Sequence, residues 1–124
     1  MASQLWIETG WPSPTLNPNS RANRWDLAKA RRKARADGFI ATLAALAGNP
    51  WKMPQGRVKL TIHAHPPVRR RRDDDNLTAS AKPYRDGIAQ RLGIDDSRFD
   101  AQPVHWHEPA PPRGALFFHL ESTP

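Results

Sequence analysis

Three aspartates, Asp73, Asp74 and Asp75, follow directly on four arginines, Arg69, Arg70, Arg71 and Arg72, and a second acidic pair, Asp95 and Asp96, stands further along the chain. A loop that needed only solubility would intermix its signs. Just past a strand end, extended backbone sends the carboxylates of Asp73 and Asp75 to one side and that of Asp74 to the other. Two carboxylates at one place repel unless a cation intervenes, and oxygen ligands with no histidine or cysteine beside them select Mg²⁺, with Mn²⁺ able to substitute. Asp95 and Asp96 follow a predicted helix that could turn back and bring one of them to the same place. Three carboxylates around Mg²⁺ beside four arginines suit hydrolysis of a phosphodiester: the cation activates water and offsets charge developing on phosphate, and Arg69, Arg70, Arg71 and Arg72 hold the flanking backbone. The competing reading is a solvated loop whose opposite charges neutralise each other. Against it stands the cost of a lone acidic patch to nucleic-acid binding when no metal ion offsets it.

The rest of the composition agrees with a polyanion partner. The net charge is +7 over 124 residues, and seven of the 12 acids fall between positions 73 and 100 against four basic residues, so that segment carries −3 and the remainder +10. This is a basic body with one acidic spot, which attracts nucleic acid before membrane. The absence of cysteine suits a reducing cytoplasm, and no signal peptide or apolar span is evident. The length predicts one domain over residues 1–124, enough for a single core.

The elements that must position these charges are legible in the pattern. A short strand is predicted over 4–9, then a proline- and asparagine-rich loop over 10–20, then a helix over 22–47 closed by Gly48 and Pro50. Ile40, Leu43, Leu46 and Ala47 are expected to face the core, with Asp37-Gly38 as the helix's weak point, and Arg24, Arg31 and Arg35 to form an outer stripe. Strict alternation over 57–65 predicts a strand with one buried face. A second helix is predicted over 80–92 with Ser80 as cap and Pro83 in the tolerated first turn, then strands over 102–108 and 115–121, expected to pair antiparallel across the turn 109–114. The order, strand-helix-strand-helix-strand-strand, predicts an α+β domain with two helices packed on a small mixed sheet.

The segment "RRRRDDDNLTASAKPYRDGIAQRLGIDDSRF" (69–99) resembles the signature of the RusA family of Holliday junction resolvases of bacteria and their phages: a basic run, Asp-x-Asp-Asn-Leu, a lysine and an aspartate on a helix, and a following Asp-Asp. The resemblance implies that Asp73, Asp75 and Asp96 are the metal ligands and that Lys82, four residues before Asp86, is a catalytic lysine. The family places its lysine closer to Asp-Asn-Leu, so residues 78–80 read as an insertion. The alternative for Lys82 is a surface lysine paired with Asp86. Over the rest of the chain the order of elements is similar, and the loop "WPSPTLNPNSRANRW" is similar to the family's loop before its first helix.

The function expected is therefore a Mg²⁺-dependent endonuclease that resolves four-way DNA junctions in recombination and repair, without a small-molecule cofactor. The alternatives are a non-catalytic basic DNA-binding protein and a more general structure-specific nuclease. Paired cuts in opposed strands need two sites while one chain offers one acidic cluster, so a C₂ homodimer is expected, as the resemblance also implies; Trp6, Trp11 and Phe99 serve its interface or the core. His63 with His65 and His105 with His107 each put two imidazoles on one strand face, a zinc arrangement or an ordinary polar face. The five tryptophans are read as core or interface, none as a DNA contact.

Overall fold

Alternation fixes the strands first. In β1 (Gln4–Gly10) Leu5, Ile7 and Thr9 are buried while Gln4, Trp6 and Glu8 face out, and β5 (Ala115–Ser122) buries Leu116, Phe118 and Leu120 in the same rhythm. Between them in sequence come α1 (Arg24–Ala47), β2 (Val58–His65), α2 (Asp74–Leu92), β3 (Phe99–Ala101) and β4 (His105–Trp106), with short 3₁₀ turns at Pro14–Leu16 and Asp96–Arg98. The computed structural model describes residues 4–49, 51–70 and 72–122; Arg71, read above as a phosphate contact, lies outside them. The strands form one sheet in the order β1-β5-β2, with β3 and β4 both on the far edge of β2. β5 runs antiparallel to both its neighbours, while β3 and β4 run parallel to β2. The domain is α+β, with both helices on one face of a mixed sheet.

Two expectations about the sheet fail. Of the strand predicted over 102–108 only the two-residue β4 forms, with β3 lying just before that span, and neither pairs with β5, because β5 lies between β1 and β2. The apolar strand takes the central place, where both edges of its backbone are hydrogen-bonded and its inner face is sealed. The segment 109–114 carries the chain past the end of β2 to reach it: Ala110 donates to the Pro66 carbonyl at 2.9 Å. At the end of that crossing Gly114 has φ +72°, and a Cβ there would lie 2.8 Å from Pro67, so only glycine fits.

The helices pack through their smallest residues. α1 starts at an Asn23 cap whose side chain accepts from the Asp26 backbone at 2.9 Å. Its buried stripe is Ala34, Gly38 and Thr42, whereas Ile40 is 62% and Leu43 49% exposed and Ala47 is exposed. The expected core face of α1 was therefore wrong for those three, and only Leu46 packs against the core. The reason is α2, which crosses so close that a Cβ on Gly38 would stand 2.3 Å from the Tyr84 carbonyl oxygen, and one on Gly87 2.0 Å from that of Arg35. Gly38, read from sequence as a weak point, is the contact point. Phe99 and Trp51 are buried in the core, while Trp6 is 45% exposed on the sheet's other face. No helix among the described residues is long and apolar enough to cross a membrane.

Candidate active site

α2 begins six residues earlier than its predicted cap, and this changes the geometry of the acids. Asp73 is the N-cap: its Oδ1 accepts from the Asn76 backbone at 3.1 Å, and Asp74 and Asp75 occupy the first turn. Carboxylates at these positions satisfy free N–H groups and face the positive end of the helix dipole, so the acidic run is itself a helix-start signal. Asp75 is therefore helical, and the alternation of extended backbone that was expected to set its side beside Asp73 does not hold. Asp74 turns to β4, where Trp106 Nε1 donates to its Oδ1 at 2.5 Å. The earlier start also places Pro83 inside the helix and not in its first turn, which removes one helical hydrogen bond, that of the Ala79 carbonyl.

The helical register creates a different alignment. Asp75, Ala79, Lys82 and Asp86 recur at spacings of four, three and four and so share one face of α2. Lys82 Nζ donates to Asp86 Oδ1 at 2.5 Å and to Asp96 Oδ2 at 2.8 Å, and Arg85 lies 3.9 Å from the same Asp96 oxygen. The left-handed Gly93 cap (φ 71°) ends the helix and lets the chain double back, which is what returns Asp96 to Lys82. The hydrogen bond from Lys82, then its charge, holds the Asp96 carboxyl below the ordinary carboxylate range. For Lys82, partial desolvation works against the charged form, but the bonds to Asp86 and Asp96 prevail and its pKa is raised. Asp95 caps the following turn through the Ser97 backbone at 2.8 Å.

Asp96 and Lys82 are thus brought together, with Asp86 as a third member that spacing alone flagged. Asp73 and Asp75 stand at the other end: Lys82 lies seven positions after Asp75, about 10 Å along the axis. Among the described residues no three histidine or acidic side chains are grouped to hold a metal ion. The donor types suit a hard cation, since carboxylates alone are present; as they stand, Lys82 neutralises the Asp86–Asp96 end.

Two neighbouring clefts run along α2. The first, about 810 Å³, lies between the 11–20 loop and the start of α2 and is lined among others by Trp11, Arg70, Arg72, Asp73, Asn76 and Trp106. The second, about 450 Å³, puts Arg31 and Arg35 of α1 opposite Lys82 and Asp86, and Asn17 and Ser20 border both. Of the predicted DNA contacts, Arg31, Arg35, Arg70 and Arg72 therefore line this trough. Arg24 does not: its guanidinium lies 5.1 Å over the exposed Trp25 ring. Arg69 is paired with Glu108. Trp11 and Trp106, read from sequence as core or interface, do pack against the core; far apart in the chain, they meet beside the first cleft only through the fold.

All five histidines lie on the open sheet face. His63 pairs in register with His105, His63 Nδ1 is 2.8 Å from His107 Nε2, His65 stacks on His107 at 4.6 Å, and Trp6 stacks on His119 at 4.0 Å. The four-imidazole zinc arrangement is not formed among the described residues. Desolvation, then the neighbouring imidazoles, lowers the pKa of His63 and His107.

No family model matches the chain. Over 96 residues it is 46% identical to an uncharacterized protein of Xylella fastidiosa (strain Temecula1 / ATCC 700964), a match covering 76% of this chain and 61% of that protein. The chain thus spans about three fifths of that relative's length.

Proposed function

We propose that the protein is a divalent-metal-dependent endonuclease of RusA type, acting on branched DNA such as the four-way junction in a bacterial cell or phage-infected host. The observation that carries this reading is the single α2 face on which Asp75, Lys82 and Asp86 align and to which Asp96 returns, bordered by a trough that presents Arg31, Arg35, Arg70 and Arg72. A cluster of acids on a basic surface is costly for a phosphate-binding protein unless it serves chemistry. The RusA resemblance assigns Mg²⁺ (or Mn²⁺) to Asp73, Asp75 and Asp96, and the ion would supply an activated water and offset charge on the phosphate; as folded, Asp73 caps α2 and Asp96 is held by Lys82, so the three carboxylates would have to leave these partners to share one ion. The chain's own part is to seat the strand on the arginines, whose contacts are to phosphate and so independent of sequence. Lys82 is poised on the same face to neutralise an oxyanion or hold Asp96 in place. Two cuts in opposed strands require two such faces, which a C₂ homodimer provides.

Asp73 serves as the α2 cap and Asp96 is ion-paired with Lys82, structural roles that favour a second reading: a non-catalytic DNA-binding protein that uses the same trough. A labelled four-way junction incubated with the protein, with Mg²⁺ and with EDTA, separates the two. The nuclease reading expects Mg²⁺-dependent cleavage, lost in Asp75→Asn and Asp96→Asn with junction binding retained or tightened. Binding without cleavage under Mg²⁺ or Mn²⁺ gives the answer to the second reading.

A further inference from the structure

Arg72 is the unexplained charge in the larger cleft. Its guanidinium lies 5.2 Å over the Trp11 ring, its Nε is buried with no hydrogen-bond partner, and its Nη2 makes only a long 3.3 Å contact to the Val68 carbonyl. No carboxylate is within ion-pair distance of it among the described residues. A cation drawn partly out of water, with donors left over and no counter-ion, calls for an anion, and a phosphate oxygen suits a guanidinium best. Beside it stand two indoles, Trp11 and Trp106, with ring centroids 6.5 Å apart and planes inclined by 50°. Trp106 is held in place by its bond to Asp74. Aromatic rings next to an unpaired cation, in a cavity of about 810 Å³, match the two halves of a nucleotide, and the volume lies within the range that takes such a group.

We propose that this cleft seats one unstacked nucleotide of a DNA strand, its base against Trp11 and Trp106 and its phosphate on Arg72. The proposal rests on the reading of the protein as DNA-acting, and deepens it. A paired base cannot present its face to an indole, so the subsite admits only unpaired or branch-point nucleotides. A strand, and not a free nucleotide, is the occupant that the surface favours, because a second cleft, bordered like the first by Asn17 and Ser20, lies beside it and presents Arg31 and Arg35 for the next phosphates.

The test is fluorescence anisotropy of tag-free, full-length protein with three labelled DNAs: a single-stranded oligothymidylate, a four-way junction and a blunt duplex. Trp11→Ala and Trp106→Ala are each expected to weaken oligothymidylate binding by about tenfold, within what one base–aromatic stack supplies, and to leave duplex binding within about twofold. Trp11→Phe and Trp106→Phe should restore it, and the exposed Trp25→Ala should change nothing. Should the alanine variants fail to fold, Arg72→Gln decides: single-strand affinity must fall, with a salt slope lower by about one. Wild-type oligothymidylate binding in the folded alanine variants, or in Arg72→Gln, overturns the proposal. So does an equal loss on the duplex, and so does displacement of the oligothymidylate by thymidine monophosphate at similar concentration. Junction cleavage that ignores Trp11 and Trp106 would drop the subsite and keep the nuclease; single-strand binding through both tryptophans with no cleavage would do the reverse.

Discussion

Gly87→Ala tests whether the close helix crossing organises the molecule. The added Cβ would sit 2.0 Å from the Arg35 carbonyl oxygen and 2.9 Å from both the Arg35 carbonyl carbon and the Phe39 nitrogen, all of them backbone. Relief to 3.0 Å, below which real Cβ contacts essentially never fall, needs α1 and α2 to part by 1.0 Å or more. A gap of that size forfeits about a quarter to a half of the dispersion energy of the atoms along it, here Ala34, Thr42, Tyr84 and Ile88, all buried. Overpacking of this kind costs about 3 kcal/mol at the top of its usual range, offset by about 1 kcal/mol of helix propensity. The net loss of about 2 kcal/mol should lower Tm by roughly 8–10 °C for a domain of this size. Gly48→Ala is the control: Gly48 has φ −94° and open space around its Cβ position, so a change of under about 1 kcal/mol in either direction is expected. Circular dichroism melts and urea titrations measure both. A Gly87→Ala protein as stable as wild type would refute the crossing geometry, and with it the placement of Arg31 and Arg35 opposite Lys82.

Three further outcomes are expected. Because the folded pKa values of His63, His107 and His119 lie below their ordinary 6.5, the unfolded chain takes up protons first; stability should fall as pH drops through about 6.5 and level off below the folded values. The urea midpoint should therefore be lower at pH 5 than at pH 7.5, less so in His63→Gln/His107→Gln, and a pH-independent midpoint would contradict the packing of the imidazoles. Lys82→Gln should let the Asp96 carboxyl titrate at higher pH by ¹³C NMR while leaving stability nearly unchanged, since the pair is exposed and solvent-screened; an unmoved titration would mean the contact is not made in solution. Arg70→Ala should weaken binding to every DNA alike and reduce the log–log salt slope by about one, and an unchanged slope would return Arg70 to the solvated-loop reading.

What the sequence determined by itself is what short-range chemistry controls. β1, β2 and β5 follow from alternation, because one buried face repeats every second residue whatever lies beside it. The span of α1 follows from composition, with Asn23 and Gly48 closing it, and the Lys82–Asp86 contact follows from helical spacing alone. The concentration of acid between Asp73 and Asp100 on a basic chain is likewise a fact of sequence. Tertiary structure decided the rest. Which stripe of α1 is buried depended on how near α2 could come, so Gly38 and Ala34 displaced Ile40 and Leu43 from the interior. The start of α2 at Asp74 is the exception, a local signal that Asp73 carries as a cap for free N–H groups and not as the tail of a strand. Partners distant in sequence meet only because the sheet and the Gly93 turn carry them there: Asp96 to Lys82, Trp106 to Trp11, and β5 into the gap between β1 and β2. Contacts of that range are set by burial of the whole core, a quantity no local pattern of residues encodes.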